Sequence, residues 1–380
     1  MDDNISIPLS SPDITEAEIR AVTEVMRTRY LTVGPKVLEF EQAFCHYLRV
    51  EHAIAVSSGT AGLHCSLLAL GIGPGDEVIT TPFSFIASAN SILMVGGQPV
   101  FVDIDPRTLN MDPKKLEAAI TPRTKAIMAV ETFGNPAGFD DFLAIAQRHE
   151  LPMIEDSCEG LGSSHRQRQV GTYGRVGVFA FYPNKQITTG EGGMIVTNDN
   201  TLANLCRAYR NQGRDPGSAW LSHQRMGYNY RLSDINAAIG CVQMQRLDGM
   251  LTKRQAVAHY YIKLLMDDPH IILPNVDEQT DMSWFVFVVR LSEALDHNDR
   301  DAILQHLQRN HIGASNYFPP IHLQPFYVDK FGYKRGAYPI TEYISDRTIA
   351  LPFHNNLTLT EVEEVVHHLK RGVAQQLAIK

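Results

Sequence analysis

Seven short apolar runs between positions 53 and 197, each bounded by turn residues, restrict what this chain can fold into more than any other feature. They occupy 53–56, 77–80, 99–102, 126–130, 153–155, 176–181 and 194–197, and helical patterns such as 113–120 and 139–149 lie between several of them. Strand, crossover helix and strand again predict an α/β fold whose large, mostly parallel, seven-stranded-type sheet is covered by helices on both faces. Such a sheet puts ligand chemistry on loops at the carboxyl ends of its strands. Beyond a helix-like segment over 232–254 the character changes. An apolar run at 284–289 is followed by a helix over 300–310, a loop rich in proline and aromatics over 317–327, and an amphipathic helix from 360 to about 377. At 380 residues the chain is long for one core. These patterns predict a large domain over 1–245 and a smaller α+β domain over 246–380, with the N-terminal segment packing against the smaller one.

Composition enters mainly to exclude. The net charge of −8 comes from interspersed acids and bases. The densest basic stretch, Arg166-Gln167-Arg168, reads as a solvated turn, so no nucleic-acid partner is expected. No apolar run approaches the roughly 20 residues of a membrane helix, and Met1-Asp2-Asp3-Asn4 lacks an apolar signal core, which predicts a cytoplasmic protein. The five cysteines, Cys45, Cys65, Cys158, Cys206 and Cys241, never form a C-x-x-C pair, as expected of reduced thiols rather than a disulfide frame or a metal site.

Four segments carry chemistry. Ser57-Ser58-Gly59-Thr60-Ala61-Gly62 joins a strand to a helix; small residues, free amides and the Thr60 hydroxyl there make a phosphate cradle, and taken alone it reads equally well as an N-cap by Ser58 or Thr60. Gly71, Gly73 and Gly75 follow a helix and precede a strand, the wrong order for dinucleotide binding, which leaves a nicotinamide-dependent oxidoreductase without its fingerprint. In Ile154-Glu155-Asp156-Ser157-Cys158-Glu159-Gly160 an apolar strand ends in acids. An Asp there can keep a heterocycle's ring nitrogen protonated, although an isolated Glu-Asp pair is more often a helix cap. Ala180-Phe181-Tyr182-Pro183-Asn184-Lys185 places one lysine in a loop between two strands, where a nucleophile can be held rigidly; most loop lysines are only solvated charges. Gly227-Tyr228-Asn229-Tyr230-Arg231-Leu232-Ser233-Asp234 is a polar loop that runs into a helix with Ser233 as its cap.

Together these segments resemble the DegT/DnrJ/EryC1/StrS family of sugar aminotransferases, of the aspartate-aminotransferase fold type (fold type I), which depend on pyridoxal phosphate. The resemblance runs from Tyr30-Leu31-Thr32-Val33-Gly34-Pro35 through Gly75-Asp76-Glu77-Val78 and Asp103-Ile104-Asp105 to Leu351-Pro352-Phe353-His354. It implies that Lys185 holds pyridoxal 5'-phosphate as a Schiff base and moves the proton during transamination, and that Asp156 pairs with the pyridinium nitrogen. It also implies that Gly59, Thr60 and Ala61 hold the phosphate and that Phe85 stacks on the ring. Asn229 corresponds to a residue that reaches the neighbouring subunit's cofactor, which implies a homodimer with shared active sites. Thr32, Tyr317 and His322 fall in segments that resemble substrate-contacting loops, and Trp220 lies in another loop expected to shape the sugar site.

Two positions depart from the family pattern. Ala180 stands where serine is common, removing a phosphate donor unless Asn184 or water replaces it. Glu159 stands where glutamine or histidine is usual near the cofactor's phenolic oxygen. A carboxylate there repels a phenolate, so a shared proton or a Glu159 turned away is expected. The implied reaction is a ping-pong transfer of an amino group from an amino acid, glutamate, to a nucleotide-linked keto sugar in amino-sugar and polysaccharide biosynthesis. The alternatives within the family are a cyclitol (keto-inositol) aminotransferase and a sugar dehydratase; a lysine rather than a histidine at 185 argues against the second. A non-catalytic regulatory protein is disfavoured by intact Lys185 and Asp156.

Overall fold

The computed structural model describes residues 5–217, 219 and 221–380. The acidic segment at 1–4 and Trp220 therefore lie outside the described residues. The first strands in chain order are β1 (His52–Val56), β2 (Glu77–Thr80), β3 (Gln98–Phe101), β4 (Thr124–Val130) and β5 (Met153–Asp156). The short β6 (Ser164–His165) and β7 (Arg168–Gln169) follow, then β8 (Val176–Ala180) and β9 (Gly193–Thr197). All but β6 and β7 form one seven-stranded sheet in the order β1-β9-β8-β5-β4-β2-β3. Strands β3, β2, β4, β5 and β8 run parallel, and β9 is antiparallel to both β8 and β1. All seven apolar runs thus became strands of this sheet.

Alternation along the strands explains why the sheet is covered twice. Ala53 and Ala55 of β1, with Met194 and Val196 of β9, face a core shared with Phe40, Phe44 and Leu247. Ile54, Val56 and Ile195 face the opposite core with Leu63, Leu67 and Cys206. Successive side chains of a strand point to opposite faces, so residues one apart enter different cores. Helices Pro35–Leu48 and Asp234–Leu265 cover the first face, and Gly59–Ala69 and Asn200–Arg210 the second.

The C-terminal part carries β10 (Ile271–Ile272), β11 (Thr280–Asp281), β12 (Phe287–Leu291) and β13 (Thr348–Leu351). β10, β12 and β13 make an antiparallel sheet, while β11 pairs with β6. Its core joins Phe287 and Ile349 to Ile303 and Leu307 of helix His297–Arg309 and to Val362 and Leu369 of helix Leu359–Ile379. Ile7 enters the same core and bridges to Ile312. Position 245 lies inside the 32-residue helix Asp234–Leu265, whose Leu247 and Met250 pack in the large core and whose Val257 and Tyr261 pack in the small one. The run at 284–289 is corrected: β12 begins only at Phe287, because Trp284 has φ 55° and its carbonyl accepts from Arg254 rather than from a ladder. Among the described residues no helix is long and apolar enough to cross a membrane, and no group of three or more metal-ligating side chains is present.

The helix Glu16–Met26 is clamped to the long helix by charge. Thr15 caps it in a box with Glu18, and the Glu18 carboxylate also accepts from Gln243 and Arg246, the latter paired with Asp13 as well. Burial alone would raise the Glu18 carboxyl, but hydrogen bonds from Thr15, Arg246 and Gln243 outweigh it and hold it at about 2. A depressed carboxyl contributes stability above its unfolded value, and that contribution fades as pH falls through the folded one. Glu18→Gln should therefore lower the urea midpoint at neutral pH, a loss of about 1–3 kcal/mol. The deficit should shrink as pH drops from 4.5 toward about 2; a deficit that does not vary with pH would contradict the clamp.

Candidate active site

Three strands of the large sheet end at one place. Val130 closes β4, Asp156 closes β5 and Ala180 closes β8, and all three line a cavity of about 770 Å³. The start of helix Gly59–Ala69 forms another wall, and residues 315–319 of the C-terminal part close it from the other side. Gly59, Thr60, Phe85, Asp156, Glu159, Lys185 and Tyr317 all line this one space.

Each is positioned by its element. Ser58 caps the helix by accepting from the Ala61 amide at 3.1 Å, which leaves the first two helical amides, Gly59 and Thr60, without an intrahelical acceptor. The cap and the cradle are therefore compatible. Gly59 must be glycine, because a Cβ there would sit 2.8 Å from both the Ala180 Cβ and the Cys158 Sγ. Asp156 is buried as the last residue of its strand, not as a helix cap, and its Oδ2 accepts from Ser88 Oγ at 2.6 Å. Phe85 is 62% exposed, an aromatic face left open at the cavity.

Lys185 lies in the loop after β8. Its Nζ is 3.7 Å from Glu159 Oε1 and 3.9 Å from the centre of the Phe285 ring. Its carbonyl accepts from the buried Arg254 Nη2 at 3.0 Å, while Arg254 Nη1 donates to the carbonyls of Trp284 and Phe285. One side chain thus holds the loop that carries Lys185 against the ring beneath its amine. Glu159 is not turned away. Its Oε2 accepts from the Phe133 amide at 2.9 Å, and burial, only partly offset by Lys185, pushes its carboxyl up to about 7. Burial also raises the Tyr317 phenol, and Glu159 adds to that rise.

Other expected residues fall elsewhere. Ala61 is buried and its amide is taken by Ser58, so the cradle is shorter than expected by one donor. His322 does not line the cavity: it is fully buried, 3.0 Å from Glu342 and packed on Tyr338. Thr32 is exposed and bridges to Ser233, and Asn229 is exposed and bridges to Asn211. Both also lie outside this chain's own cavity. Sequence reasoning passed over Ser88, Phe285 and Arg254. Each lies far along the chain from the residue it supports, so no local pattern could have marked it.

The residues fit pyridoxal phosphate by their chemistry. A buried carboxylate stands at the strand end, open amides and a hydroxyl stand at the helix start, and an amine and an uncovered aromatic face stand between them. The Asn184 side-chain oxygen, buried without a partner among the described residues, is a further unsatisfied group on the cavity wall.

Comparison with known proteins agrees. The family model of the DegT/DnrJ/EryC1/StrS aminotransferase family matches residues 12–370. The GDP-perosamine synthase of Caulobacter vibrioides is 40% identical over 368 residues, covering 96% of this chain and 98% of that protein. The spore coat polysaccharide biosynthesis protein SpsC of Bacillus subtilis is 37% identical over 377 residues, covering 97% of each. Among solved structures, DesV of S. venezuelae superposes with a TM-score of 0.87 at 33% identity over 93% of both chains.

The raised Glu159 carboxyl has a consequence for stability. A carboxyl raised above its ordinary value of 4.5 contributes stability that is complete below that value and lost as pH rises through about 7. Glu159→Gln carries no such charge, so its melting temperature should overtake that of the unmodified apoprotein above about pH 7, with the gain disappearing in acid. A gain that stays the same across the range would place the Glu159 titration elsewhere.

Proposed function

The chain belongs to the DegT/DnrJ/EryC1/StrS aminotransferase family and is a pyridoxal-phosphate-dependent aminotransferase acting on sugars; from that premise we propose that it moves the amino group of glutamate to a keto sugar linked to a nucleotide. The observation that carries the reading is the Lys185 amine, 3.7 Å from Glu159 in the cavity that Asp156 and the Gly59–Ala69 helix start also line. Pyridoxal phosphate, when bound, supplies the electron sink that lets nitrogen leave one carbon and join another.

The chain's own residues do the rest. The Gly59 and Thr60 amides, with the Thr60 hydroxyl, hold the phosphate at a helix start that favours negative charge. Asp156, fixed by Ser88, holds a protonated ring nitrogen. Phe85 offers the stacking face. Lys185 Nζ takes the proton from the donor's α-carbon and later delivers one to the sugar carbon that receives nitrogen. It must be neutral to accept that proton, and Glu159, 3.7 Å away with its carboxyl raised by burial, is the adjacent acid–base group. Phe285, Tyr317 and Phe318 wall off water. Asn229, exposed and outside its own cavity, acts in the site of a second subunit, which makes the working unit a homodimer.

Lys185→Ala should keep the fold and lower turnover by at least about 10²–10⁴-fold. The test is the visible spectrum of cofactor-loaded protein before and after glutamate, followed by product analysis with a nucleotide-linked keto sugar. A spectrum that glutamate leaves unchanged sinks the proposed donor, and a Lys185→Ala protein that still turns over sinks the assignment of the lysine.

The shared site has its own test. Lys185→Ala and Asn229→Ala proteins, each inactive alone, should recover about a quarter of wild-type activity when refolded together in equal amounts. Half of the dimers are then mixed, and each mixed dimer keeps one intact site. No recovery would show that Asn229 serves its own chain.

A further inference from the structure

Residues 228–231 run as a short extended segment held from two sides. The Tyr228 amide donates to the Tyr209 carbonyl at 2.7 Å and the Tyr230 amide to the Arg210 carbonyl at 2.9 Å, while the Tyr230 carbonyl accepts from the Ser57 amide at 2.8 Å. Successive side chains of extended backbone point to opposite sides. Tyr228 and Tyr230 accordingly share one side, their rings stacked 5.1 Å apart with planes 10° off parallel. Asn229 and Arg231 take the other. Asn229 is exposed, and Arg231 lines, with Arg207, Arg210 and Arg214, a second cavity of about 350 Å³ that shares no lining residue with the catalytic one.

One side chain meets both tyrosines. His64 stands edge-on to the Tyr228 ring at 4.7 Å, and its Nδ1 lies 3.1 Å from the Tyr230 hydroxyl. It is buried on helix Gly59–Ala69, as are Leu63, Cys65 and Leu67. Burial pushes its imidazole below the ordinary value, so the ring is neutral at neutral pH and offers one donor and one acceptor. Nε2 has no partner among the described residues, which leaves the Tyr230 hydroxyl as the polar contact of a desolvated ring. A leucine would fill this position without stranding a nitrogen, so what the imidazole adds is the bond to Tyr230. The same helix opens with the Gly59 and Thr60 amides, and His64 follows Gly59 by little more than one turn. The brace on Tyr230 is thus anchored to the element that forms this subunit's own phosphate cradle.

We propose that His64 is a positioning residue for amino transfer: bonded to the Tyr230 hydroxyl, it fixes which way the 228–231 segment faces and so holds Asn229 in place for the cofactor of a second subunit. The proposal rests on the shared-site reading given above. It makes one helix serve both sites of the dimer, its first turn gripping phosphate in its own subunit and its second bracing the residue lent to the other.

The test is titration of the apoprotein with pyridoxal phosphate, followed by absorbance, for wild type, Tyr230→Phe, Asn229→Ala and the double variant. Tyr230→Phe removes one hydroxyl and keeps the stack; it should weaken cofactor binding about threefold to tenfold, the loss expected for one hydrogen bond. In the double variant that loss should disappear, leaving the affinity of Asn229→Ala alone, because residues that act through one contact are not additive. His64→Leu should reproduce Tyr230→Phe; if it does not fold, Tyr230→Phe carries the test by itself. Location is read in refolded mixtures of Lys185→Ala and Asn229→Ala chains, assayed with cofactor near half-saturation. Tyr230→Phe should lower the recovered activity when added to the Lys185→Ala chain, which lends Asn229. Added to the Asn229→Ala chain, which houses the working site, it should not, because the residue it braces is already gone. Wild-type affinity in Tyr230→Phe, losses that add in the double variant, or a loss that follows the working chain would overturn the proposal. So would dissociation of Tyr230→Phe or His64→Leu into monomers, because the brace would then serve assembly. An Asn229→Ala protein that binds cofactor like wild type would remove the shared site and the proposal with it, whereas a defect in Asn229→Ala without one in Tyr230→Phe removes the proposal alone.

Discussion

The catalytic loop is in place because one buried guanidinium holds three carbonyls. Arg254, on the helix that runs through both parts of the molecule, donates to Lys185, Trp284 and Phe285. Burial drives its pKa down to about 10. A charge so deeply placed is costly unless it is hydrogen-bonded, and here backbone carbonyls accept from both Nη1 and Nη2, while Nε is buried without a partner among the described residues. The three carbonyls come from segments about a hundred residues apart in sequence, and all three shape the space around the Lys185 amine. The left-handed Trp284 and the late start of β12 belong to the same arrangement.

Beneath that loop the acids are arranged so that they need not all be charged at once. Burial raises the Glu131, Glu155 and Glu159 carboxyls, each beside another acid or beside Lys185. Glu155 accepts from the Gly171 and Gly174 amides and so fixes the turn that leads into β8. Asp156, next in sequence, sits on the opposite face of its strand and takes the Ser88 hydroxyl. The period of two along β5 thus gives neighbouring acids separate tasks: one braces the backbone and the other faces the cavity.

Much of the fold was legible because burial on two faces leaves a period in the chain. The seven runs and most of the helices lie within a few residues of where periodicity placed them. The helix expected over 300–310 is His297–Arg309, and the one from 360 is Leu359–Ile379. Periodicity erred where a backbone special or a distant donor decided the matter. The run at 284–289 is apolar throughout, yet its first residues are bent aside by Trp284 and Arg254. His322 lay in a loop of the expected composition, but its aromatic neighbours and Glu342 draw it into a core away from the cavity.

What the sequence determined by itself was the set of groups: a lysine between two strands, an acid at a strand end, small residues at a helix start, and the family pattern that joins them. Those features are local, since each depends on residues within one turn or one strand. Only the tertiary structure decided how the groups meet. It turned Glu159 toward Lys185, set Phe285 under the amine, and collected four arginines around a second cavity. These are contacts between segments far apart in the chain, and packing and burial, which no local pattern encodes, select them.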